Sequence, residues 1–287
     1  MKNICVIPNI HKDKNLRTTR SLVEWIIQHG YKPILNEVVA QKIGFFEYGK
    51  SGTEIFENSD FIVALGGDGT ILNVARQCAS FSTPILGVNL GHLGFLAEVD
   101  AENVVEAVEK IVNDEFFIDK RMMLEASIIK ENMEAVNLIA LNDIVVTRGS
   151  FSRMVKLKVF VNEQYVNTYL ADGIIISSPT GSTAYSLSAG GPIVYPNLEL
   201  FIITPICPHT LHSRSIIVSE KDKVKLVIVG ENQDVMATTD GQQGYKLNSG
   251  DTIYVKKSNR YTNLIRLKSM NFFELLRSKL SERNFNI

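Results

Sequence analysis

Residues 61–70 read FIVALGGDGT. The five apolar residues at 61–65 give a buried strand, because a strand covered on both faces shows a continuous apolar run instead of alternation. Gly66, Gly67 and Gly69 then permit a sharp turn with backbone close to a ligand. Thr70 opens a helix over 70–79 with Ile71, Leu72 and Ala75 inward. The glycines do not complete GxGxxG, since Leu72 stands where the third belongs. Outward from this unit the alternation continues. Strands are expected at 4–7 and 85–88, and helices at 17–29, stopped by Gly30, and at 104–112. Strand alternating with helix argues for a Rossmann-like parallel sheet covered on both faces, hence an α/β N-terminal domain. Ligands in such sheets bind beyond the carboxyl ends of strands, where helix N-terminal N–H groups favour anions. The turn falls there. It holds one carboxylate, Asp68. An acid among phosphate-cradling glycines repels phosphate, so its presence calls for a chemical role. Two are open: taking a proton from a hydroxyl that attacks phosphorus, or holding Mg²⁺. The plainer use is capping the helix.

Near Phe116 the pattern changes. Short β-type segments follow at 124–130, 135–147, 155–161, 173–177, 224–229 and 252–255, with turn signals at 161–163, 230–232 and 248–251. This reads as a β-rich sandwich or layered domain interrupted by one helix over 182–189. The last segment, 271–280, carries Phe272, Phe273, Leu275, Leu276 and Leu280 on a stripe and is expected to pack on a domain face. The expected organisation is 1–116, an α/β nucleotide-binding domain; 117–267, a β-rich domain; and 268–287, a C-terminal helix.

Composition bounds the function classes. The chain has 287 residues, 45% hydrophobic and 21% charged, with a net charge of −1. Disorder and bulk electrostatic binding of nucleic acid or anionic membrane are excluded. Cys5, Cys78 and Cys207 are far apart and odd in number, against a disulfide framework or a cysteine zinc site. The N-terminal apolar run is too short for a secretory signal, and no apolar stretch reaches the ~20 residues of a membrane span, so a cytoplasmic protein is expected.

Two motif matches fail on mechanism. GFFEYGKS at 44–51 satisfies GxxxxGK[ST], but bulky Phe45, Phe46 and Tyr48 and acidic Glu47 fill the loop, and Gly52 and Thr53 start a helix poorly. Lys50 is expected in a solvent-exposed loop. His209 and His212 lack a third metal ligand in reach.

The stretch ADGIIISSPTGSTAYSLSAGGP at 171–192 is the most unusual. A strand leads through Pro179, Thr180 and Gly181 to a short helix bearing Ser182, Thr183, Ser186 and Ser188. Small hydroxylated residues at a helix start supply donors without bulk, which suits adenine edges, ribose or phosphate. Asp172, ahead of the strand, can accept from an amide or ribose hydroxyl. The plainer reading is a packing element whose serines cap and back-bond. Asn142-Asp143 before an apolar strand and Asp240-Gly241-Gln242 are, on their own, ordinary turn signals.

Together these segments resemble the NAD kinase family: GGDGT at 66–70, NLGHLGFL at 89–96, LND at 141–143, DGIIISSPTGSTAYSLSAGGPI at 172–193, PHTLHSR at 208–214 and DGQ at 240–242. The resemblance implies an N-terminal α/β domain joined to a C-terminal β-rich domain. It implies transfer of the γ-phosphoryl of ATP, or of inorganic polyphosphate, to the adenosine-ribose 2′-hydroxyl of NAD, with a divalent cation, Mg²⁺, held mainly through substrate phosphates. Asp68 inherits the role of proton acceptor, with Gly69 beside it. NAD contacts map to Asn142, Asp143, Arg153, Asp172, Thr183, Ala184, Tyr185, Ser186, Leu187, Ser188 and Gln242. Many members carry Glu where Asp143 stands, Leu170 replaces a basic or polar residue, and His92 sits where Asn is common. A homodimer or homotetramer is implied. The competing readings are a lipid kinase sharing GGDGT, disfavoured by the polar 172–188 run, and a non-catalytic dinucleotide-binding regulator, disfavoured by the intact Asp68.

Overall fold

The computed structural model describes residues 1–91, 94–130, 135–149, 153–210, 213–230, 234–268 and 272–282. His92, His212, Asn271 and part of the 230–232 turn lie outside them. The chain forms two compact units. One comprises Met1–Lys120 together with the chain from Thr262, and the other is Arg121–Tyr261. The end of the last strand, from Thr262, and the C-terminal helix thus group with the first unit.

In the first unit, β1 (Asn3–Pro8), α1 (Arg17–Gln28), β2 (Lys32–Asn36), α2 (Glu37–Ile43), β3 (Gly49–Lys50), α3 (Glu54–Glu57), β4 (Phe61–Gly66), α4 (Asp68–Cys78), β5 (Ile85–Asn89), β6 (Val99–Asp100) and α5 (Val104–Val112) follow in order. The strands pair in parallel as β3-β2-β1-β4-β5, with β6 beside β5. The chain winds from β1 toward β3 on one side, then from β4 toward β5 on the other, so the order reverses between β1 and β4. That reversal is where open parallel sheets bind ligands. All six residues of β4 are buried. Leu22, Val23 and Ile26 of α1 and Val108 and Ile111 of α5 pack with Val6, Val63, Leu65 and Val88 of the sheet. Gly30, at φ +76°, follows the end of α1, as the sequence predicts.

The 44–51 motif is no P-loop. Gly44, at φ +79°, ends α2, and Gly49-Lys50 forms β3 against Leu35 and Asn36. No helix follows until Glu54. Lys50 is half-buried in this edge strand, not held in a loop as expected.

The second unit is antiparallel. Its elements are most of β7 (Phe117–Ile129), then β8 (Val136–Ala140), β9 (Asp143–Arg148), β10 (Val155–Val161), β11 (Gln164–Ala171), β12 (Gly173–Ser177), α6 (Tyr185–Ser188), β13 (Leu200–Ile206), β14 (Ile216–Ser219), β15 (Val224–Val229), β16 (Val235–Thr239), β17 (Gln243–Leu247) and the start of β18 (Thr252–Arg266). One sheet runs β14-β13-β12-β9-β16-β17. A second set pairs β11-β10-β15 with the first residues of β18. Inward residues of both, such as Ile144, Ile174 and Phe201 against Leu157, Leu226 and Ile253, form one core. Three sequence expectations are corrected. The 135–147 segment is two strands, broken at Leu141-Asn142. The 182–189 helix is a 3₁₀ turn, Thr180–Thr183, and a short α6, separated by Ala184 at φ −99°, ψ −129°. The 252–255 strand continues to Arg266. In α7 (Phe272–Glu282) Phe272 is buried, but Phe273 and Leu280 are exposed, so only part of the expected stripe packs. Among the described residues, no helix is long and apolar enough to cross a membrane.

The end of β18 is fixed in the first unit by charge. Leu264 pairs with Ile85 in parallel. Arg266, 1% exposed, bonds Asp119 through Nε at 3.1 Å, and Glu98 at 3.1 Å and the Leu96 carbonyl at 3.0 Å through Nη1. Removing one member of a buried ion cluster leaves its partners desolvated and unpaired. Arg266→Met should therefore cost about 3–5 kcal/mol, measured as a fall in denaturant midpoint. A near-neutral change would contradict this account.

Candidate active site

At the end of β4 the chain turns on Gly66 and Gly67. The Thr70 side chain folds back over Gly66 so closely that a Cβ there would overlap it. Asn9, just past β1, donates its backbone N–H to the Leu65 carbonyl at 2.7 Å and its side-chain amide to Thr70 Oγ1 at 3.3 Å. The loops after β1 and β4 are thus laced together at the strand-order reversal.

Asp68 is the first residue of α4, and its own helix has no side-chain cap. Its carboxylate instead accepts from the backbone N–H groups of Phe95 at 2.8 Å and Leu96 at 3.1 Å. Gly94 lies beneath it, where any side chain would overlap the carboxylate. The helix-capping use is therefore not what holds Asp68. Each of its oxygens takes one backbone donor and keeps further accepting capacity. Gly69 is exposed beside it.

In the second unit, Asn142 and Asp143 sit at the break between β8 and β9. The cause of the break is Asp240. Its carboxylate accepts from the N–H groups of Leu141 at 3.2 Å, Asn142 at 2.8 Å and Asp143 at 3.2 Å. Asp240 itself stands at φ +50°, in the turn joining β16 to β17. The sequence shows a hairpin signal here and gives no sign of this positioning role. A carboxylate facing three successive amides leaves no local trace in sequence. Burial first, then the neighbouring Asp240 carboxylate, push the Asp143 carboxyl up to about 7. Near neutral pH it therefore both donates and accepts. The Asn142 carbonyl receives Ser178 N–H at 2.9 Å and packs against Gly181, which brings the 178–183 turn beside the Asn142-Asp143 corner.

The hydroxyls of the 182–188 run are partly committed to structure. Ser182 Oγ donates to the Val194 carbonyl and accepts from Val194 N–H, and Ser186 Oγ bonds Thr204 Oγ1 at 3.1 Å. Thr183 Oγ1 donates to the Thr180 carbonyl at 3.3 Å and keeps its lone pairs. The hydroxyls of Ser182 and Ser186 thus each have a partner inside the second unit. Tyr185 and Ser188 are exposed, and Ala184 and Leu187 half-buried. Partial desolvation, then the charges of Cys207, Asp172 and Asp143, raise the Tyr185 pKa.

Asp172 does not join Asn142 and Asp143. Asp143 lies opposite Ser177, whereas Asp172 precedes Gly173 at the other end of β12, roughly 16 Å away along the strand. There it pairs with Arg148 at 2.6 Å. Arg153, before β10, and Gln242, in the turn after β16, are exposed. Leu170 is exposed, and its carbonyl receives His209 N–H at 2.8 Å.

Two family models match the chain: the ATP-NAD kinase N-terminal domain over residues 4–116 and the ATP-NAD kinase C-terminal domain over 141–267. The NAD kinase of Caldanaerobacter subterraneus subsp. tengcongensis is 64% identical over 283 residues, 99% of this chain and all of that one. The NAD kinase of Acetivibrio thermocellus is 45% identical, with 99% of this chain and 98% of that one covered. Yeast NADH kinase, solved in complex with NADH, superposes with a TM-score of 0.90 at 26% identity, covering 100% of this chain and 88% of that one. An NAD kinase from Archaeoglobus fulgidus, solved in complex with ATP, gives 0.76 at 26% identity, covering 97% and 98%.

The Asp143 shift has a signed consequence. An unfolded aspartate titrates near ~3.9, so between about pH 4 and pH 7 the folded chain holds more protons at this site than the unfolded one. Stability from this group is full below pH 4 and is lost as pH rises through about 7. Asp143→Asn removes the titration and keeps the shape. The variant's melting temperature relative to the parent should therefore climb steadily from pH 4 to pH 7.5. Parallel pH profiles would refute the shift.

Proposed function

The chain belongs to the NAD kinase family, and from that premise we propose that Asp68 accepts the ribose 2′-hydroxyl proton as that oxygen attacks the γ-phosphorus of ATP. The new bond is between the 2′-oxygen of the adenosine ribose of NAD and phosphorus. The bond that breaks joins phosphorus to the bridging oxygen, so ADP leaves and the proton rests on the Asp68 carboxylate. The observation that carries this reading is the placement of Asp68 at the carboxyl end of β4, fixed by Phe95 and Leu96 with accepting capacity left on both oxygens. A ribose hydroxyl is a weak nucleophile, and phosphoryl transfer otherwise depends on positioning and charge neutralisation.

The solved relatives that hold NADH and ATP support a dinucleotide acceptor and a nucleotide donor here; polyphosphate is the alternative donor. Asn142, Asp143, Thr183, Ala184, Tyr185, Ser186, Leu187, Ser188 and Gln242 are assigned to NAD, with Gly69, Arg153 and Asp172 as further contacts. Asp143, part-protonated, offers both a donor and an acceptor to an amide or adenine edge. Asp68 and Thr70 supply only hard oxygen donors at the turn, which suits Mg²⁺ carried in on phosphates with a carboxylate nearby. When bound, the cation neutralises charge on the transferring phosphoryl group. A homodimer or homotetramer in the cytoplasm completes the proposal.

Turnover is read by incubating the protein with ATP, Mg²⁺ and NAD and measuring NADP with an NADP-specific dehydrogenase. Asp68→Asn keeps shape and loses basicity, so kcat should fall about 10²- to 10⁴-fold with little change in NAD affinity. Near-full turnover would remove the proposed mechanism, and partial rescue by raised Mg²⁺ would make Asp68 a metal ligand instead. Gly94→Ala, which crowds the same carboxylate, should lower kcat in the same direction. EDTA should abolish activity and added Mg²⁺ or Mn²⁺ restore it; activity surviving EDTA dialysis would contradict a substrate-borne ion.

A further inference from the structure

The loop after β1 reads NIHKDK at 9–14 and carries no role so far beyond Asn9. Its shape is strongly determined. The Asn9 side-chain oxygen accepts from the N–H groups of His11 at 3.1 Å and Lys12 at 3.2 Å, and its carbonyl accepts from Lys12 at 3.0 Å and Asp13 at 2.9 Å. Asp13 is buried, and its carboxylate is committed to the start of α1. It accepts from Thr18 N–H at 3.1 Å, Thr19 N–H at 2.9 Å and Thr19 Oγ1 at 2.6 Å. The acid beside Lys12 in sequence is therefore occupied elsewhere.

The Lys12 side chain reaches across to the glycine turn. Its Nζ stands 2.9 Å from where a Cβ on Gly67 would be, so it lies directly over the backbone next to Asp68. β1 and β4 are neighbours, paired up to Pro8 and Leu65, and the strand order reverses between them. Lys12 and Asp68 thus come from the two loops that flank the binding crevice of a doubly wound sheet. A cavity of about 570 Å³ beside this loop is lined by Lys12, Arg17 and Asn89 and also by the acidic residues Asp13, Asp100 and Glu102, so the Gly67 turn, outside that lining, is the face of Lys12 nearest Asp68. Asp100 accepts from the Asn89 side chain at 3.0 Å.

A lysine ammonium is a compact point charge that binds phosphate without demanding bidentate geometry. Gly67 offers no side chain to keep a phosphate away from it. We propose that Lys12 is a further catalytic residue, which binds the donor's terminal phosphates over the Gly67 turn and stabilises the charge that develops on them during transfer. The proposal rests on Asp68 marking the reacting centre. Lys12 keeps its proton throughout; the hydroxyl proton goes to Asp68.

The test compares Lys12→Met, Lys12→Arg and Lys50→Met, the last removing an equal charge from the rejected 44–51 motif. Lys12→Met should lower kcat/KM for ATP by about 10²- to 10³-fold, the scale of losing one donor to a developing anion. It should weaken binding of a non-hydrolysable ATP analogue in calorimetry, and leave NAD affinity and melting temperature unchanged. Lys12→Arg should recover part of the loss, and Lys50→Met should behave as the parent. Unchanged ATP kinetics and analogue binding in Lys12→Met would overturn the proposal while leaving Asp68 standing. Equal losses in Lys12→Met and Lys50→Met would overturn it too, since the effect would be bulk charge. If Asp68→Asn is fully active, the reading beneath it fails as well, and analogue binding by Lys12→Met still separates the two failures.

Discussion

The first unit's site depends on where the Asp68 carboxylate finds its hydrogen-bond donors. It bonds forward to Phe95 and Leu96, not to its own helix, and so ties the turn after β4 to the loop after β5. That loop is held from its other side. The Leu96 carbonyl and the Glu98 carboxylate both bind Arg266, which Asp119 also engages. A continuous run of charge-assisted bonds therefore leads from the candidate base to the buried end of the last strand. Such bonds are short and directional, and in a desolvated setting they fix geometry more firmly than apolar contact does. The need for Gly94 follows, because the carboxylate occupies the space a side chain would take. The end of the last strand is held in the first unit by the same residues, since Arg266 bonds both Glu98 and Asp119 there.

The second unit uses the same device, a carboxylate that collects backbone amides from a distant segment. Asp240 collects three backbone amides and so pins the Asn142-Asp143 corner. Asp143 then has a carboxylate for a neighbour and little water, and its carboxyl rises to about 7. Asp68 serves as a proposed acceptor, whereas Asp143 is placed to present a hydroxyl as readily as an oxyanion. Two acids of one side-chain type are thereby given different roles by their surroundings.

Local pattern carried much of this. The apolar run at 61–65, the Gly66-Gly67 turn and the helix after it are all visible because a buried parallel strand and a helix start have short-range signatures. The elements that escape such a reading are those set by distant partners. The turn signal at Asn142-Asp143 lies inside a segment that otherwise reads as one strand, and what fixes the break is Asp240, 97 to 99 residues further on, through the amides of Leu141, Asn142 and Asp143. The hydroxyls at 182–188 read as ligand donors, and what the sequence does not show is that Ser182 also bonds Val194 and Ser186 also bonds Thr204. The helix expected there breaks at Ala184, whose φ −99°, ψ −129° is not helical, and the bonds of Ser182 and Ser186 to Val194 and Thr204 are again long-range contacts. Lys12 is silent in the sequence for a related reason. Nothing in NIHKDK indicates that β1 will pair with β4 and so bring that loop beside the glycine turn.

The two glycine motifs show what separates a pattern from a site. GFFEYGKS has every letter a P-loop needs, but Gly44 and Phe45 give their amides to α2, Tyr48 and Gly49 give theirs to Phe45 and Phe46, and Gly49-Lys50 lies in an edge strand. GGDGT fits no complete dinucleotide fingerprint, yet it follows a fully buried strand and begins a helix at once. It also stands next to β1, the strand from which the chain winds away in both directions. A phosphate needs backbone amides that no strand or helix has claimed, and a crevice that the sheet leaves open. Strand order supplies the second requirement, and only an element at the centre of the sheet can meet it. β3, at the edge, cannot do so whatever its residues. The Gly67 turn follows a strand at the centre of the sheet, beside the strand-order reversal, and Asp68 next to it brings a carboxylate to that place.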